Sequence, residues 1–211
     1  ILAAAGKLDN RLSNLRSHLW IDGWNLPGLR VPASRELERM PAGLAQLREE
    51  WQEATELFEK SRELSERTGE VYRQAGAYTN LGEVARLQQK WATAVDWYEQ
   101  GRELAQHHGF EEIEAILLMN MGAVLLAEDQ PQEALGKLNA SQALFEKINS
   151  RQYRPEVVRY RAGAQFALGD PVAAEATAVE ALALAEEMGQ ESEIEAAQTL
   201  LEQIRATDTT G

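Results

Sequence analysis

The chain of 211 residues carries 21 Lys and Arg against 34 Asp and Glu, a net charge of −13, with 44% hydrophobic residues and no cysteine. So acidic a surface opposes phosphate backbones and anionic bilayers, which excludes nucleic acid and membrane surfaces as partners. Without cysteine there is no disulfide, thiolate metal site or thiol nucleophile, and no run of about 18 apolar residues is present to span a bilayer.

The opening ILAAAGKLDN lacks a starting methionine and is too short and weakly apolar for a signal peptide. These features predict a cytoplasmic fragment of a larger chain. Leu8, Leu12, Leu15 and Leu19 then share one face of a predicted helix over 8–20. Asp22-Gly23 and Pro27-Gly28 end it in a loop flanked by Trp20 and Trp24. Residues 1–33 read as a connector or cap. A helical pattern resumes over 34–49 with Leu37, Leu44 and Leu47, and Pro41 is expected to interrupt it.

From Trp51 onward the pattern repeats every 40 residues. Trp91 falls on Trp51, Ala94 on Ala54 and Ala134, and Leu104 on Leu64 and Leu144. Gly109 falls on Gly69 and Gly189, with Asn149 in the remaining frame. These residues sit just past predicted helix ends, where a left-handed conformation is needed and Gly or Asn supplies it. Turns are expected at 88–90, 128–130 and 169–171, with Pro131 and Pro155 at helix starts and Asp170 as an N-cap. A period of this length predicts an all-α solenoid of stacked antiparallel helix pairs. We divide it into four units at 41–70, 71–110, 111–150 and 151–190. A capping helix over 191–206 and a disordered tail over 207–211 follow.

The pattern resembles the tetratricopeptide repeat. Each unit has a small residue midway along its first helix (Gly82, Gly122, Ala162) and an alanine early in its second (Ala54, Ala94, Ala134, Ala174). Four positions later comes a large apolar residue (Phe58, Tyr98, Leu138), then a small one (Ser61, Gly101, Ser141, Ala181). Small residues let paired helices approach to about 8–10 Å. Two departures stand out: Ala178 replaces the large residue in the fourth unit, and each unit is longer than the family's usual one. The longer form is similar to that of kinesin light chains, bacterial peptide-sensing regulators and the sensors of STAND-type ATPases and maltose-regulator-type activators. The resemblance implies a right-handed superhelix whose concave wall is made of first helices. It implies a non-catalytic sensor or scaffold region of a larger, bacterial signalling protein, binding a protein or peptide segment on that wall. A small-molecule effector, a sugar or metabolite, is the alternative ligand, and the isolated fragment is expected to be monomeric. Self-association through the Leu8–Leu19 stripe is a further alternative.

Asn80 and Asn120 occupy the same phase in consecutive units, two residues before the small residue of the first helix. The resemblance implies that asparagines at this phase hold a ligand by its main chain, and an amide can both donate and accept there. The other expectation for this pair is that each asparagine bonds a neighbouring repeat. The same wall is expected to present Thr79, Glu83 and Arg86, then Ile116 and Met119, then Arg159, Tyr160 and Phe166. An apolar centre flanked by Arg86 and Arg159 would suit an amphipathic or anionic-tailed segment.

No residue set points to catalysis, a metal or a cofactor. Ala4-Ala5-Gly6-Lys7 is followed by Leu8, so a phosphate loop would lack its magnesium hydroxyl. His107 and His108 read as helix-end residues, where a partly positive side chain suits the dipole. The acid pairs Glu49-Glu50, Glu111-Glu112 and Glu186-Glu187 read as solvated helix faces.

Overall fold

The structure is a computed structural model that describes residues 41–208, with side chains described over 51–207 except Glu53. The expectations for residues 1–40 and for 209–211 lie outside the described residues. Those described form helices and no strand: α1 (Pro41–Thr68), α2 (Val71–Leu87), α3 (Trp91–His108), α4 (Glu111–Ala127), α5 (Pro131–Lys147), α6 (Arg154–Ala167), α7 (Pro171–Met188) and α8 (Glu191–Asp208). They make a helical solenoid in which α2–α3, α4–α5 and α6–α7 are antiparallel pairs.

The period is written into the backbone. Positive φ recurs at Gly69, Gln89, Gly109, Asp129, Asn149, Gly169 and Gly189, one residue at each turn. After each, an amide reaches back to a carbonyl of the last helical turn. Lys90 N–H donates to the Ala85 carbonyl at 2.9 Å, Phe110 to Ala105 at 2.8 Å and Ser150 to Phe145 at 2.9 Å. This bond satisfies a carbonyl the helix leaves over, and it requires a left-handed residue beside it. Gly109, at φ 71°, takes that conformation without Cβ strain, and Asn149 takes it at φ 53°. Asp170 accepts from the Ala173 amide at 3.0 Å and caps α7.

Two expectations at the ends need correction. Whether Pro41 interrupts the helical pattern over 34–49 lies outside the described residues, but the helix pair expected in the first unit is a single helix over the described part. From Pro41, the first described residue, α1 runs unbroken to Thr68, with no turn between 48 and 51. In the turn position shared by Gln89, Asp129 and Gly169, the first unit has Glu49, followed by helix-favouring Glu50. At the other end, α8 includes Thr207 and Asp208, two residues read as tail. The Thr207 hydroxyl donates to the Ile204 carbonyl at 2.6 Å.

Packing follows the small-against-large pattern. Tyr98 is fully buried beside Gly82, Leu138 beside Gly122, and Ser141 donates to the Ala115 carbonyl at 2.7 Å. In the fourth unit Ala162 faces another small residue, Ala178. Leu201 and Ile204 of α8 share their cluster with Ala174, supplying the bulk that α7 lacks. The first helices of successive units touch: α2 lies against α4, α4 against α6, and α6 against α8. No two of α1, α3, α5 and α7 come into backbone contact. One layer is therefore closed and the other splayed, so α2, α4, α6 and α8 form the inner wall.

Candidate functional site

The inner wall is closed more tightly than its residue types suggest. Thr79, Glu83, Ile116 and Met119 are all buried, and Thr79 donates back to the Ala75 carbonyl at 3.2 Å. Asn80 is 4% exposed and Asn120 8%. The Asn80 side-chain oxygen is shielded and accepts no hydrogen bond within the protein. That oxygen bonds no neighbouring repeat. Of the wall residues expected to meet a partner, Arg86, Arg159, Tyr160 and Phe166 keep part of their surface open.

Both arginines are already matched. Arg86 Nε donates to Glu83 at 2.9 Å, and its Nη2 donates to the other oxygen of the same carboxylate. The Tyr98 hydroxyl reaches that carboxylate from α3 at 3.1 Å. Arg159 Nε donates to Glu193 of α8 at 2.7 Å, and its guanidinium lies 4.3 Å from the centre of the Tyr160 ring. Burial alone would lower the Arg86 pKa, but Glu83 outweighs it and holds the guanidinium charged. Burial pushes the Tyr98 and Tyr160 phenols up, and Glu83 and Glu156 respectively add to this. Tyr160 of α6 also feels Arg86 and Glu83 of α2, so charge on α2 acts past α4 on α6.

Sequence reasoning found the wall's phase and missed two members of its polar network. Glu193 sits in what reads as a capping helix, and only the contact of α8 with α6 makes it the partner of Arg159. Tyr98 reads as a packing residue, and it is one. Its hydroxyl nevertheless passes beyond Gly82 to the wall carboxylate. The apolar open part of the wall is Ala123, Leu126, Gly163 and Phe166, each partly buried. Trp51, Trp91 and Trp97 pack half-buried against core clusters on the second helices. Among the described residues, no group of three or more His, Asp or Glu is placed to hold a metal ion.

Comparison with known proteins agrees with this geometry. A family model described as the tetratricopeptide repeat matches residues 42–107. Those residues belong to the tetratricopeptide repeat family. The same turn geometry and small-residue positions continue the repeat through α6 and α7. A crystal structure of nearly identical TPR-like repeats of the kinesin light chain type, from Podosopora anserina, is similar over 83% of this chain and 93% of its own. It is 22% identical, with a TM-score of 0.54. A singly substituted form of the same repeats is similar over 81% of this chain and 91% of its own, at the same identity and TM-score. Such identity shows the fold alone. No curated protein matches the chain.

Proposed function

We propose that this chain is a non-catalytic interaction module that holds an extended protein or peptide segment against the wall of α2, α4, α6 and α8. Tetratricopeptide repeats are protein-interaction scaffolds, and that coarse reading rests on the match over 42–107. The finer reading, a sensor or scaffold region of a larger cytoplasmic signalling protein of the STAND or transcription-regulator kind, is our extension of it. No helix among the described residues is long and apolar enough to cross a membrane.

The observation that carries the proposal is the orphaned oxygen of Asn80. A buried acceptor without a donor costs about 1–3 kcal/mol, and a hydrophobic residue in its place would remove that cost. A main-chain N–H of an incoming segment is the donor that suits it, once the wall opens around Asn80. The test is a selection of random phage-displayed peptides on the 211-residue chain, followed by titration of an enriched peptide into wild type and Asn80→Ala. Affinity should fall while the unfolding midpoint stays level or rises. Unchanged affinity with a lowered midpoint would make Asn80 a structural residue and remove the proposal's support.

A further inference from the structure

Position 83 and its equivalents 123 and 163 are occupied by Glu83, Ala123 and Gly163, so side-chain volume falls along the wall from α2 to α6. A Cβ on Gly163 would meet only Leu126 Cδ1, at an ordinary 3.9 Å. By contrast, Cβ atoms on Gly82 and Gly122 would lie 2.2 Å from Tyr98 and 2.6 Å from Leu138. Gly163 is therefore small with no neighbour filling the space. One turn further along each helix stand Leu126 and Phe166, both partly open.

Electrostatics decides the rest. Arg86 and Arg159, the two arginines expected to flank the wall's apolar centre, are engaged by Glu83 and Glu193, so neither is spare to receive a ligand carboxylate. The chain as a whole carries −13 and repels an acidic segment. The sequence expectation of an anionic-tailed ligand loses its footing once the arginines are seen to be neutralised. A segment with basic residues beside an apolar anchor is attracted instead, and it gains the apolar burial that Leu126 and Phe166 offer.

We infer that the wall takes a basic peptide segment whose single large apolar side chain lodges in a notch floored by Gly163 and walled by Leu126 and Phe166. This rests on the inner wall being the binding face and adds the partner's chemistry and its anchor point. Because Gly163 sits inside α6 without positive φ, a larger residue there fills the notch without backbone strain.

The experiment uses the same phage-displayed random peptides on the 211-residue chain, with enriched peptides titrated into Gly163→Ala and Gly163→Leu. Enriched sequences should pair a large apolar residue with Lys or Arg. Gly163→Leu should weaken them about tenfold or more with no fall in unfolding midpoint, and Gly163→Ala should weaken them less. Where Gly163→Leu proves unstable, Gly163→Ala alone supplies the reading. Enrichment of acidic peptides would overturn the inference. So would unchanged affinity in Gly163→Ala and Gly163→Leu while Asn80→Ala weakens binding, which leaves the wall as the binding face and removes the notch. Binding insensitive to Asn80→Ala and to both Gly163 variants overturns both readings.

Discussion

A Cβ on Gly82 would lie 2.2 Å from Cε1 and 2.3 Å from Cδ1 of Tyr98, so the ring of α3 occupies the space a side chain on α2 would need. The ring is buried on all sides and its hydroxyl is tied to Glu83, so it cannot swing aside without breaking that bond. Gly82→Ala should therefore destabilise by about 1–3 kcal/mol or more through overpacking. The equivalent Gly122→Ala meets Leu138 Cγ at 2.6 Å, an aliphatic side chain with no polar tether, and should cost less. Urea unfolding of the two variants checks the order. Equal losses would show that the Tyr98 tether does not stiffen the crossing.

The solenoid was legible because its causes are local and repeated. Gly109 and Asn149 announce turns, Pro131 and Pro155 announce helix starts, and Ala94 and Gly82 announce a close crossing. Each is a demand made within one turn or one helix pair. The wall was legible only in phase. That Asn80 faces the same seam as Asn120 follows from counting residues. That its oxygen is shut away follows from how α2 seats on its neighbours, which no spacing encodes. Arg159 reads as a cation awaiting a ligand until α8 places Glu193 against it. The first unit misled for a related reason: Glu49 and Glu50 stand where Gln89 and Lys90 turn, and α1 runs on through them.

Alkaline pH should loosen this fold. Burial, with Glu83 next, raises the Tyr98 pKa well above 10.0; burial, with Glu156 and Glu112, pushes Tyr153 up to about 12; burial, with Glu156, also raises Tyr160. Below pH 10 folded and unfolded chains both keep these protons, and stability does not depend on them. Above it the unfolded chain releases protons the folded chain retains, so stability falls as pH rises toward the folded-state values. For Tyr153 alone the loss approaches ~2–3 kcal/mol by the time its folded value is reached. Denaturation midpoints measured from neutral to strongly alkaline pH should stay flat and then drop. Tyr153→Phe should drop less steeply. A Tyr153→Phe curve parallel to wild type would show that this phenol is not the group being titrated.

Arg159 and Glu193 hold the last helix to the wall. Nε and Nη2 of Arg159 donate to the two carboxylate oxygens of Glu193 at 2.7 and 3.4 Å, with side-chain exposures of 17% and 11%. Removing one partner from a pair this shielded strands the other charge in a poor solvent, so Glu193→Ala and Arg159→Met should each cost about 1–3 kcal/mol. The figure stands below that of a wholly buried pair because some surface of both groups remains open. Removing both charges leaves nothing stranded, so the double variant should lose clearly less than the sum of the singles. The Arg159→Met, Glu193→Ala cycle, read by urea unfolding, measures this coupling directly. Additive losses would mean that α8 is held by Leu201 and Ile204 against Ala174 and Ala178, with the ion pair contributing nothing. A coupling of more than about 1 kcal/mol would make the pair part of what closes the wall, and with it part of what leaves Arg159 unavailable to an acidic ligand.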